Sequence, residues 1–194
     1  LPCPDTNGDG LSNTPCGALG ASVEGWLPWQ TLGNKVLKDG NAVCLRYAVS
    51  GHYKIAPSSP LVKLPSSTVG HFVVHDQNNS ILLGSTANDY GLAVVFSPNQ
   101  VFAGQVRGLG GGVATTCGSN MAGASVNRGI NYLETLSNVD NANGTFAGPG
   151  TAGSAALPTS SPSVFIKADK QAGFNDELIW VSPQDFNDVY GRMP

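Results

Sequence analysis

Apolar and polar positions alternate most clearly over residues 43–50, where Val43, Leu45, Tyr47 and Val49 fall on one side of an extended chain and Cys44, Arg46 and Ala48 on the other. A period of two is that of a strand, and the first set is the one expected to face a core. Further β-rich runs at 71–75, 80–83, 92–96, 163–167 and 177–181 are each bounded by Gly, Pro, Asn or Asp, the boundaries that end strands. Residues 76–79, Asp-Gln-Asn-Asn, read as a hairpin turn between the first two of these. Helical signals are few. Residues 126–137 place Ile130, Leu133 and Leu136 on one helical face, interrupted by Gly129. Residues 184–190 follow Ser182, a capping residue, and Pro183, which suits the first helical position. Residues 1–13 are turn chemistry throughout, and residues 105–125 and 141–162 read as long surface loops, the first pinned to the sheet by Cys117. The pattern predicts an α+β fold with an antiparallel sheet, short helices and long loops, in one domain over 1–194, a size ordinary for a single core.

Composition narrows the setting. Hydrophobic residues make up 41% of the chain but charged residues only 12%, about half the roughly 25% of ordinary soluble domains. With abundant Gly, Asn, Ser and Thr, this suits a surface exposed outside the cytoplasm. A net charge of -3, a pI near 5.4 and the lack of any Lys/Arg cluster argue against nucleic acid as a partner. The four cysteines allow three pairings, and sequence alone does not decide among them. The preferred one is Cys3 with Cys16 and Cys44 with Cys117, the short loop contributing about 3 kcal/mol by chain entropy; four reduced core thiols are the alternative. Zinc is disfavoured because no Cys-x-x-Cys or Cys/His pair has ligand spacing. No apolar run approaches the roughly 20 residues that span a bilayer. Leu1 opens directly on a turn, so any leader or membrane segment is expected upstream.

The strongest local motif is Asp5-Thr6-Asn7-Gly8-Asp9-Gly10-Leu11, the first half of an EF-hand-type calcium loop. The side chains of Asp5, Asn7 and Asp9 and the Leu11 carbonyl are candidate ligands around the sharp turn that Gly10 permits. The bidentate acid of the twelfth position is replaced by Cys16, so the set is incomplete, and a polar turn held by a disulfide is the competing reading. His71 and His75 share a face of one candidate strand and are a weaker metal pair, while His52 is isolated. The nucleophile elbow, the zinc helix and the phosphate-cradling loop are all missing. Asp169, Asp176, Glu177, Asp185 and Asp188 are explained by turn, cap and surface roles, so no enzyme is expected. Trp26, Trp29 and Trp180 read as core anchors.

Leu1-Pro2-Cys3-Pro4-Asp5 through Gly10, Cys16, and then Gly25-Trp26-Leu27-Pro28-Trp29-Gln30-Thr31-Leu32-Gly33 together resemble the heads of type IV pilin-like proteins, the minor pilins and pseudopilins made with a prepilin-type leader. Residues 39–49, Ala93-Val94-Val95-Phe96-Ser97-Pro98, Asn131-Tyr132-Leu133-Glu134 and residues 175–183 resemble further family segments in the expected order. The strand lead-in after Asp39 lacks the aromatic-Gly-Asn form of the family, and the loops at 108–123 and 141–161 look enlarged. The resemblance implies a non-enzymatic filament subunit. Its upstream helix would anchor the precursor in the inner membrane and later pack in the filament core. Its head would meet other pilin subunits and a possible surface or host ligand at the cell surface or periplasmic face. A free-standing, secreted calcium-dependent module for carbohydrate or cell-surface recognition is the alternative.

Overall fold

The computed structural model describes residues 1–18, 20–54, 68–107, 117–118, 127–144, 157 and 162–190. In chain order they form β1 (Val23–Trp26), β2 (Arg46–Val49), β3 (Phe72–Asp76), β4 (Ile81–Leu83), β5 (Ala93–Ser97), β6 (Thr135–Leu136), β7 (Val139–Asp140), β8 (Ser163–Lys167), β9 (Glu177–Val181) and α1 (Pro183–Tyr190), with short 3-10 turns at Ala87–Asp89 and Gly129–Asn131. The fold is thus mostly β, with a single short helix at the end of the described chain.

Two sheets enclose the main core. The first is antiparallel, in the order β1-β2-β5-β9. Its register lines up Trp26, Arg46, Phe96 and Leu178 on one face, beside Glu24, Ala48, Val94 and Trp180. The second sheet, β4-β3-β8, joins an antiparallel hairpin to a parallel β3–β8 pair. Its Phe72, Val74 and Phe165 pack into the same core, with Phe165 edge-on to Phe96 at 5.0 Å between ring centres; such aromatic pairs are worth about 0.5–1.5 kcal/mol beyond their buried area. The β3–β4 turn is the expected hairpin: Asp76 Oδ1 accepts from Asn78 N and Ser80 N, and Asn79 takes the left-handed conformation that asparagine tolerates.

Both faces of β2 are buried. The larger core takes the Cys44, Arg46 and Ala48 side, and the Leu45, Tyr47 and Val49 side packs on a smaller cluster with Leu1, Leu27, Ala93 and Val95. Tyr47 and Val49 of the expected set thus do face a core, but the smaller of the two, because alternation marks two faces and does not say which is covered more deeply. The disulfides follow the preferred pairing, Cys3–Cys16 and Cys44–Cys117, each with Cα atoms 5.8 Å apart.

The helix expected over 126–137 does not form among the described residues, Val126 lying outside them. Residues 129–131 make one 3-10 turn, and β6 and β7 close a two-residue hairpin whose Ser137 and Asn138 both have positive φ, 50° and 65°, as a type I′ turn demands. The expected surface loop over 141–162 begins in the interior. Asn141 is fully buried and pairs with Ile166 like a strand neighbour, accepting from its N at 2.8 Å and donating to its O at 3.1 Å. Leu157 is also in the core; the rest of that segment from 145, apart from Pro162, and most of 108–126 lie outside the described residues. The cap of α1 is as expected: Asp185 N donates to Ser182 Oγ, and the Asp185 carboxylate accepts from the Ser182 amide and hydroxyl, a reciprocal capping box.

Candidate functional site

The opening loop folds around Asp5. Proline and glycine leave residues 4–10 no ladder of their own, so this fully buried carboxylate gathers their N–H groups, Asn7 N and Gly8 N on Oδ1 and Gly10 N on Oδ2, at 2.6–2.9 Å. Burial raises the Asp5 pKa, partly offset by those three donors. Asp9 accepts from Leu11 N and from Asn7 Nδ2. The candidate ligands therefore lie in one loop, but the Asp5 and Asp9 carboxylates accept from its own donors. Asn7 Oδ1 alone is buried there without a partner, and no group of three His, Cys, Asp or Glu side chains converges among the described residues. Calcium takes 6–8 oxygens, so an ion here would have to displace the Asn7–Asp9 bond and recruit further ligands.

The glycines of this loop answer to packing. A Cβ on Gly10 would lie 2.2 Å from the Trp29 ring, and one on Gly8 would strike the Cys117 carbonyl. Asp5 and Trp26 exchange backbone hydrogen bonds at 2.8 and 3.0 Å, which docks the loop on the end of β1. Lys54 closes the other end by donating to Cys16 O and Ala21 O, both at 2.6 Å.

Behind the loop lies a layer of buried charge. Arg46, on the core face of β2, forks onto the Glu24 carboxylate of β1, donates to Asn127 O at 2.8 Å and sits between the Trp26 and Tyr132 rings, 4.3 and 5.1 Å from their centres. Burial raises the Glu24 pKa against the opposing pull of Arg46. Further along, Glu134 and Asp176 form a buried acid pair. Glu134 N and Asn141 Nδ2 donate to Asp176 Oδ2; Gln105 Nε2 and Asn175 N donate to the Glu134 carboxylate. Asp176 Oδ1 is buried without a donor. Desolvation first, then the Glu134 charge, push the Asp176 pKa well above the usual carboxylate range, and burial raises that of Glu134 as well. Arg107 ties this pair to the surrounding loops through Asn99 O, Asn131 O and Tyr132 O.

Asp176 is therefore an interior group and not the turn or surface acid expected from sequence, because its partner lies far away along the chain. Asp185 caps α1, and Glu177 pairs with Lys170 on the surface. Both acids of this pair are buried, Asp176 fully.

Among the histidines, His75 Nδ1 bonds Asn79 Oδ1. Four residues of strand put it about 13 Å from His71, too far to share an ion. His71 instead lies beside His52, with ring centres 5.2 Å apart; burial and the His52 charge lower its pKa. A groove of about 490 Å³ runs between β4 and the start of α1, lined by Ile81, Leu83, Asp89, Pro183 and Asn187. Of the tryptophans, Trp26 is a core anchor, while Trp29 and Trp180 are half-buried. No helix among the described residues is long and apolar enough to cross a membrane.

No model of a known protein family matches the chain, and neither the curated proteins nor the solved structures provide a match.

Proposed function

We propose that the chain is the extracytoplasmic head of a type IV pilin-like filament subunit, a minor pilin or pseudopilin that works by protein–protein contact and not by catalysis. The observation that carries this reading is where the family-like segments lie. Residues 25–33, 39–49, 93–98, 131–134 and 175–183 supply neighbouring strands of the first sheet and the buried charge that backs it: Trp26 and Tyr132 enclose Arg46, Glu134 meets Asp176, and β5 pairs β9. Segments dispersed in sequence thus belong to one structural unit. Two disulfides also suit a head in an oxidising compartment, with no reducing pool around it.

The second face of the sheet supports the same reading. Val23, Val49, Ala93 and Val181 line up across it, next to Tyr47, Val95 and Ile179, the last 68% exposed. Leu1 packs against this face, so an apolar helix joined to Leu1 would begin at an apolar surface. The decisive experiment reads the coding sequence upstream of Leu1 and probes sheared surface filaments with an antibody to this domain. A prepilin-type leader followed by about 20 apolar residues, with the domain in the filament fraction, is the expected result. A plain cleaved signal peptide, with the domain free in the medium, sinks the proposal.

The second reading, a secreted calcium-dependent binding module, rests on the unpartnered Asn7 Oδ1 beside Asp9. On that reading millimolar calcium raises the melting temperature by mass action, and Asp9→Asn removes the rise. A midpoint unmoved by calcium discards the ion.

A further inference from the structure

The three histidines of the chain fall into two groups that their sequence spacing conceals. His52 is exposed on the turn after β2, and His71 is half-buried just before β3. Their ring centres are 5.2 Å apart with planes at 75°. The juxtaposition is built from below. Gly20 and Gly51 cross so closely that a Cβ on Gly51 would fall 2.1 Å from the Gly20 backbone, and Gly20 N donates to Gly51 O. Ser22 Oγ then accepts from Gly51 N at 3.2 Å and bonds His71 Nδ1 at 3.1 Å. One buried hydroxyl thereby fixes the turn that carries His52 and the ring of His71.

We infer that His52 and His71 form a two-imidazole site for a divalent transition-metal ion, with Ser22 as the residue that orients His71. An imidazole nitrogen binds zinc at about 2.0–2.1 Å, which places the ring centre about 3.2 Å from the ion; two such rings at a tetrahedral angle have centres about 5.2 Å apart. A metal-bound histidine characteristically donates its other ring N–H to an oxygen. With Nδ1–H donated to Ser22 Oγ, His71 presents its lone pair at Nε2. Imidazole pairs select copper, nickel and zinc over calcium or magnesium, which prefer oxygen. No third His, Cys, Asp or Glu side chain joins the pair among the described residues. This site is separate from the Asp5–Asp9 loop and does not depend on the filament reading.

The test is calorimetric titration of the folded, disulfide-intact protein with Cu²⁺, Ni²⁺ and Zn²⁺, with the histidine ring protons followed by NMR. The expected result is one ion per chain, tightest for Cu²⁺, with shifts at His52 and His71 and none at His75. His52→Ala, at an exposed position, and His71→Ala each weaken Ni²⁺ binding by about tenfold or more. Ser22→Ala weakens it by about tenfold or more, the usual effect of losing a supporting hydrogen bond, while His75→Ala and Asp9→Asn leave it unchanged. Absence of stoichiometric binding, or binding that survives His52→Ala and His71→Ala, overturns the assignment.

Discussion

Replacing Glu24 by Gln tests the buried charge layer most directly, because it preserves shape and removes only the counter-charge. Arg46 is 1% exposed and directs Nε and Nη2 at the two Glu24 oxygens. A glutamine returns one acceptor but turns an NH2 group toward a guanidinium N–H, leaving a cation in the interior without its anion. Breaking a buried pair in this way costs about 3–5 kcal/mol, and the isosteric change with one acceptor kept belongs near 3. Domains are stable by only about 5–15 kcal/mol, so this is a large share. For a chain of this length it corresponds to a fall of roughly 6–12 °C in melting temperature. The measurement is thermal unfolding by circular dichroism without reductant, on Glu24→Gln, Arg46→Met and the double replacement Glu24→Leu/Arg46→Met. The double variant should recover most of the loss, since an apolar pair of similar volume needs no desolvation. A Glu24→Gln loss below about 1 kcal/mol, or a double variant as unstable as the sum of the singles, would refute the view that Arg46 depends on Glu24.

Three other outcomes follow from the same structure. Removing Cys44–Cys117, which spans 73 residues, should destabilise the chain by about 4.5 kcal/mol, against about 3 kcal/mol for Cys3–Cys16, which spans 13; urea midpoints of the paired Cys→Ser variants give the order, and a larger loss at the short loop contradicts it. Asp176 has a folded pKa raised above its unfolded value near 3.8, so its contribution is complete below that value and is lost as pH rises toward the folded pKa, at about 1.4 kcal/mol per unit of the window; Asp176→Asn should flatten the decline of melting temperature from pH 4 upward, and an unchanged slope excludes Asp176 as its source. Gly10→Ala should cost about 1–3 kcal/mol, because φ is +87° and the new methyl meets the Trp29 ring; a red shift in tryptophan emission should accompany the loss, and wild-type stability with wild-type emission would show that the ring does not seat there.

Strands whose ends are marked by Gly, Pro, Asn or Asp were legible because both signals are local: β8 and β9 occupy the expected residues, and β3 and β5 differ from expectation by one. β1 was hidden because Val-Glu-Gly-Trp carries an acid and a glycine, and both have distant causes. Glu24 answers Arg46, and Gly25 leaves room for the Asp5 carbonyl, which a Cβ would approach to 2.7 Å. The apolar spacing of Ile130, Leu133 and Leu136 suggested a helix face, yet Ile130 is 37% exposed, Leu133 enters the main core and Leu136 packs on another cluster. Spacing alone could not reveal that Glu134 between them is buried against Asp176. The opening loop was legible as a turn and as a set of oxygens. Their orientation toward backbone N–H groups was not, because it depends on how the loop docks on β1. The His52–His71 pair left no trace in spacing at all, since the Gly20–Gly51 crossing that creates it is a contact between separate segments.

The docking of the opening loop has a mechanical consequence. The Cys3–Cys16 bond holds its ends at a Cα separation of 5.8 Å, so tension applied at Leu1 cannot draw the intervening residues out as slack. Load passes instead through the paired Asp5–Trp26 hydrogen bonds into β1, and through the Cys117 N to Gly8 O bond and the Cys44–Cys117 link to the lead-in of β2. A pull at the N-terminus is thus divided between two adjacent strands of the first sheet, β1 and β2, one branch carrying a covalent link, so the domain resists being unravelled from that end.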